Sequence, residues 1–186
     1  MGGNERTELS DLIEAMKRAT EVLRHTGIPF AVCGGLAVYA RGGTPTDHDV
    51  DVLIREEDVE AALAALEEAG FRTERPPLNW LVKAYDDHVL IDLIFRPVDR
   101  PVTDATLADV DELSVGAARV PVLSATELLI HGLRTLTAQE CDLAAPLLLT
   151  RAIREQIDID RVRDETKDSP FAQAFLFLAE QLEVIP

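Results

Sequence analysis

The stretch His48-Asp49-Val50-Asp51-Val52-Leu53-Ile54 decides the reading of this chain. Alternate residues of a strand share a face, so Asp49 and Asp51 fall on one side and repel each other. A third acid interrupts the apolar run Val89-Leu90-Ile91-Asp92-Leu93-Ile94-Phe95. An isolated carboxylate there is costly to desolvate unless something positive meets it. One candidate is a buried salt bridge with Arg55 or Lys83. Another is a hard divalent cation, which removes the repulsion and the desolvation cost together. Upstream lies Gly34-Gly35, between an apolar strand and a short helix. Backbone N–H groups at such a turn are open to phosphate oxygens. Each of these signals is weak or moderate alone. Their order and spacing are more specific.

Working outward, residues 7–26 repeat apolar positions at helical spacing, with Thr7 as cap and Gly27 and Pro29 as stop. A strand is expected over 28–33, a short helix over 36–40, and a breaker-rich loop over 41–46. The acidic strand runs over 49–54 and a helix over 57–69, ended by Gly70. Residues 71–73 begin a strand. A hairpin over 80–85 and 89–95 turns at Asp86-Asp87-His88. A polar stretch containing Pro97, Pro101 and Asp104 follows. A smaller hairpin is expected around Gly116, over 113–115 and 118–122. From Ser124 the pattern is helical. Ser124-Ala125-Thr126-Glu127 has capping-box spacing. A helix over about 140–155 contains the awkward Pro146, a short helix covers 160–165, and a last helix starts at Ser169-Pro170. The fold class is therefore α+β: a small mixed sheet flanked by helices over residues 1–122, then an all-helical C-terminal region over 123–186.

The 186 residues suffice for one domain with a real core. Cys33 and Cys141 suggest neither a disulfide framework nor a zinc site. No stretch is long and apolar enough to span a bilayer and no signal-like segment opens the chain, so a cytoplasmic protein with no membrane partner is expected. The net charge of −16 speaks against a broad basic surface for nucleic acid. A cationic small molecule or a protein suits that sign better.

A Gly-Gly turn, a gap near a dozen residues, an Asp-Val-Asp strand and a third Asp on a later strand resemble the nucleotidyltransferase superfamily with the DNA polymerase beta-like fold. The likeness covers about residues 10–96 well. Within that superfamily the chain is similar to minimal and AbiEii/MenT-type toxin–antitoxin transferases, and to lincosamide-type antibiotic transferases. The resemblance implies a roster of site residues. Asp49, Asp51 and Asp92 would be the catalytic and metal-binding acids, holding Mg²⁺ (or Mn²⁺). Asp92 would complete a second metal site or serve as base. Gly34 and Gly35 would cradle the phosphates of a nucleoside triphosphate, with Arg41 and Thr46 as loop candidates for further contacts. His131 and Asp142 match a Lys and an Asp that AbiEii-like members carry on later helices, with a half-buried structural histidine the equal alternative for His131. The change of Lys to His is a departure, as is Gly35 where many members have Ser. The implied activity is transfer of a nucleoside monophosphate to a hydroxyl acceptor. A toxin-like enzyme acting on tRNA or a protein, with an antitoxin partner, stands slightly ahead of an antibiotic transferase. A non-catalytic binding protein of the same fold is the third reading.

Overall fold

The computed structural model describes residues 8–45 and 48–186. The expected cap Thr7 and the loop residue Thr46 lie outside them. A seven-stranded mixed sheet forms the body. In chain order the strands are β1 (Ala31–Cys33), β2 (Val50–Leu53), β3 (Arg72–Glu74), β4 (Leu81–Asp86), β5 (Val89–Ile94), β6 (Val110–Val115) and β7 (Ala118–Leu123). In space the order is β3-β4-β5-β2-β1-β7-β6. β2 runs parallel to β5 and β1 parallel to β7, while the other neighbours are antiparallel. The two acid-bearing strands are thus adjacent at the centre of the sheet.

Eight α-helices accompany the strands among the described residues: α1 (Leu9–His25), α2 (Gly34–Ala40), α3 (Val59–Glu68), α4 (Asp104–Ala108), α5 (Ala125–Arg134), α6 (Ala144–Ile153), α7 (Ile159–Glu165) and α8 (Pro170–Gln181). α1 buries Leu12, Met16, Ala19 and Leu23, the i, i+4, i+7, i+11 stripe of its sequence. It packs on α3, β2 and β5. α2 lies over β1, β2, β6 and β7 and touches α5. One apolar cluster fills this body and reaches as far as Leu128. A second, from Leu129 to Ile185, joins α5 to the C-terminal helices and centres on the fully buried Phe175. α5 belongs to both and seams them. The last helix docks on the chain's own α5.

Three local departures from the sequence reading have physical causes. The polar stretch after Pro101 contains α4, started by a capping box between Thr103 and Thr106. The helix expected over 140–155 starts only at Ala144, so Pro146 falls in its first turn, where its missing N–H has no intrahelical partner to lose. The capping box at Ser124 is half made. Ser124 Oγ accepts from the Glu127 N–H at 3.2 Å, but the Glu127 carboxylate is drawn instead to Arg161.

Arg41, at the end of α2, braces the body. Its Nε donates to Leu123 O at 2.8 Å and its Nη2 to Val122 O at 3.1 Å. The same group reaches Asp111 at 2.8 Å, and Nη1 reaches Gln156 at 3.1 Å. The side chain is 4% exposed. Its position suggested either a phosphate contact or a solvated loop residue; the side chain is instead buried and engaged by these four partners. Arg41→Ala would strand two carbonyls, and we expect a loss of about 2–4 kcal/mol in urea unfolding. Nucleotide affinity of the folded protein should stay unchanged. A weaker affinity there would return Arg41 to the phosphate site.

Candidate active site

The site starts from strand register. β1 and β2 pair so that Cys33 faces Asp51, and β2 and β5 pair so that Asp51 faces Asp92. Asp49 precedes β2 by one residue and shares the face of Asp51. Carboxylate oxygens of Asp49, Asp51 and Asp92 lie within 4.8 Å of one another. Asp92 is buried. The turn after β1 completes the arrangement. Gly34 has φ +59°, and a Cβ there would meet Asp51 Oδ2 at 1.8 Å. Only a residue without a side chain lets the chain pass this close to the acid.

Electrostatics agree with the crowding. Burial, then the charges of Asp49 and Asp92, push Asp51 up to about 7. Burial, then Asp92, also raises Asp49. The buried Cys33 thiol is raised far above its usual range, by burial first and the three acids next. It stays protonated and inert. The cluster as it stands wants positive charge. The donors are all hard carboxylate oxygens, the set suited to Mg²⁺ or Mn²⁺.

One cation is already present. Lys83 on β4 faces Asp92 in the hairpin register, with Nζ 3.0 Å from Oδ1. Burial alone would lower this ammonium's pKa, but the hydrogen bond and charge of Asp92 outweigh it and leave it raised. Asp92 thus has the salt bridge expected as one alternative, with Lys83 and not Arg55, and lies in the acidic cluster as well. The turn is Asp87-His88, one residue shorter than the expected Asp86-Asp87-His88, and that length pairs 86 with 89 and hence 83 with 92.

A cleft of about 900 Å³ opens beside the cluster, between the α2 side and helices α5 and α6. Its lining includes Gly35, His48, Leu128, Gly132, Glu140 and Asp142. The three aspartates are not among its lining residues. Gly35 and His48, next in sequence to Gly34 and Asp49, are the link. Asp142 sits before α6 rather than on a helix, and its Oδ1 accepts from the Ala144 N–H at 2.8 Å.

His131 goes elsewhere. Leu128 and Gly132 of α5, and Thr135 just after it, face the large cleft, while Glu127 and His131 line a separate cavity of about 300 Å³ with Arg100 and Thr103. The helical turn separates the two sets. Burial, then Arg100, lowers the His131 pKa to about 4. Glu127 Oε2 lies 3.5 Å from Nε2, but that carboxylate is already held by Arg161, so burial dominates. The folded state keeps His131 neutral while the unfolded chain protonates it near 6.5. This contribution to stability is full above pH 6.5 and is lost as pH falls toward 4, by up to about 3 kcal/mol. His131→Gln should remove that acid sensitivity, read as the wild-type minus variant difference in urea midpoint between pH 7 and 5.

No curated protein matches the sequence. Solved structures of similar fold include ANT(2″)-Ia in complex with adenylyl-2″-tobramycin, with TM-score 0.61 and 16% identity over 88% of this chain and 95% of that one. The lincomycin-bound lincosamide antibiotic adenylyltransferase LnuA gives TM-score 0.55 and 13% identity, covering 81% of this chain and 98% of that one. An antigenic nucleotidyltransferase-like protein from Paracoccidioides brasiliensis gives 0.53 and 16%, over 92% and 89%. At these identities the likeness is one of fold. A family described as uncharacterised nucleotidyltransferase matches residues 6–185, nearly the whole chain, so the protein belongs to that nucleotidyltransferase family and is an enzyme of that class.

Proposed function

We propose that the enzyme transfers a nucleoside monophosphate from a nucleoside triphosphate to the hydroxyl of a small, cationic acceptor. The observation that carries the transfer is the convergence of three aspartate carboxylates within 4.8 Å beside the side-chain-free Gly34. Asp49 and Asp51 would hold a divalent cation, Mg²⁺ by donor type. Such an ion supplies charge neutralisation for the triphosphate and the leaving pyrophosphate. Gly34 and Gly35 offer backbone N–H groups to the phosphates. Asp92 takes the proton of the acceptor hydroxyl. The acceptor oxygen then bonds to the α-phosphorus, the bond from that phosphorus to the bridging oxygen breaks, and pyrophosphate leaves.

The acceptor class follows from the cleft and the charge. A volume of about 900 Å³ suits one drug-sized molecule. The lining is largely apolar, with Glu140 and Asp142 as acids. With 34 acids against 18 bases, the chain attracts cations and repels a nucleic-acid backbone. These points favour an amine-bearing, hydroxylated small molecule over tRNA. The structures bound to adenylyl-2″-tobramycin and lincomycin share the fold and lend the reading their company.

Two measurements test it. Thermal shift with each nucleoside triphosphate should show stabilisation that requires Mg²⁺. Incubation with α-labelled nucleotide should move label to an aminoglycoside or lincosamide panel. Label on tRNA or on a partner protein instead would install the toxin-like enzyme in place of this reading.

A further inference from the structure

The Lys83 ammonium stands within the carboxylate cluster. Its Nζ holds Asp92 Oδ1 at 3.0 Å, and the two side chains are only 21% and 11% exposed. The contact does not depend on a flexible reach. The β4–β5 hairpin places the two residues directly across from each other, next to the register pair of Asp51 and Asp92. The charge of Lys83 also acts on Asp49 and Asp51. One oxygen of Asp92 is therefore engaged, and a fixed positive charge lies against the carboxylate that a second divalent ion would have to share. Three carboxylates, one ammonium and one divalent ion come to zero net charge. A second ion would have to displace the ammonium or lie against it.

We infer that Lys83 is a positioning residue that occupies the second-ion position at Asp92, so that this transferase works with one protein-held divalent cation. The inference rests on the nucleotidyltransferase reading of the cluster. It assigns Asp92 the role of proton acceptor through Oδ2, with Oδ1 anchored by Lys83, and removes the alternative of a second metal ligand.

The test is Mn²⁺ electron paramagnetic resonance with one equivalent of a non-hydrolysable nucleoside triphosphate. Two ions sharing a carboxylate lie about 3.5–4 Å apart and couple their spins. Wild type should take one tightly held Mn²⁺ with an uncoupled spectrum. Lys83→Met should take two with a coupled spectrum, or bind the second at least tenfold more tightly. Lys83→Arg keeps the charge and should behave as wild type. Lys83→Gln can hydrogen-bond Asp92 without charge and should behave as the Met variant; wild-type behaviour from it overturns the inference. A coupled pair in wild type, or an unchanged single ion in Lys83→Met, also overturns it. Should Lys83→Met not fold without metal, recovery of its melting transition on adding Mn²⁺ supports the inference, and no recovery counts against it. No Mn²⁺ bound to wild type even with nucleotide would instead remove the transferase reading itself, a distinct outcome.

Discussion

Asp51→Asn is expected to cripple nucleotidyl transfer and to make the metal-free protein more stable at pH 8. The two effects have one cause. Asp51 is central to the cluster, between Asp49 on its own strand face and Asp92 across the register. Removing its charge removes a ligand to the cation, and we expect kcat/KM to fall on the order of 10³-fold or more, about 4 kcal/mol of transition-state stabilisation. The stability gain comes from linkage. The folded state holds Asp51 at about 7, while the unfolded chain releases that proton near 3.8. Between those values the folded state binds more protons. Stability therefore falls as pH rises from about 4 through 7, and the penalty is complete above 7. Its size is roughly 2–4 kcal/mol. Asparagine carries no charge and escapes it. Urea unfolding of both proteins at pH 5 and pH 8 without metal checks this, and the gain should be clearly larger at pH 8 than at pH 5. Mg²⁺ should likewise stabilise wild type more at pH 8 than at pH 5, and stabilise the variant little at either. A variant that is inactive and also less stable at pH 8 would mean that Asp51 holds the fold and is not a strained ligand.

Gly34→Ala disables the site from the backbone side. Its φ of +59° costs an L-residue about 1–2 kcal/mol. The larger effect is steric. The added Cβ would lie 1.8 Å from Asp51 Oδ2 and 2.7 Å from its Cγ. Either the carboxylate rotates out of the cluster or the turn moves away from it, and both spoil the same geometry. We expect at least a 10²-fold loss of activity with a loss of Mg²⁺-dependent nucleotide binding. Gly42→Ala is the control. Its φ is +96°, but nothing lies within 4 Å of a Cβ there. It should lose comparable stability and keep its nucleotide binding. If both variants retain activity alike, the close approach at Gly34 carries no chemistry.

Most of the sheet was legible because its signals are local. The alternation at Asp49 to Ile54, the interrupted apolar run at Asp92 and the turn expected at Asp86-Asp87-His88 each place a strand without knowledge of its neighbours, although the turn is one residue shorter than expected. The hairpin around Gly116 was legible for the same reason. α4 was hidden because its start depends on a Thr103–Thr106 pair with no apolar repeat behind it. α6 was drawn too long because periodicity cannot say where the chain first turns helical. Asp142 and Pro146 settle that start at Ala144. Arg41 and His131 were placed near the phosphates by loop position and by analogy. A loop residue can equally fold inward when unpaired carbonyls await it, as those of Val122 and Leu123 do for Arg41. A helix residue serves whichever side its turn faces, and one step separates the cleft from the cavity of His131.

From the chain alone one reads that alternation puts Asp49 and Asp51 on one face, that Asp92 within an apolar strand needs a positive partner, and that Gly34-Gly35 turns the chain before a short helix. The packed fold adds the surroundings: which of Arg55 and Lys83 meets Asp92, Cys33 across the strand pair from Asp51, and a cleft between α2, α5 and α6. Those choices depend on which strands are neighbours and which helix face is covered. Such long-range packing is set by the whole apolar core at once, and no local pattern in the chain records it.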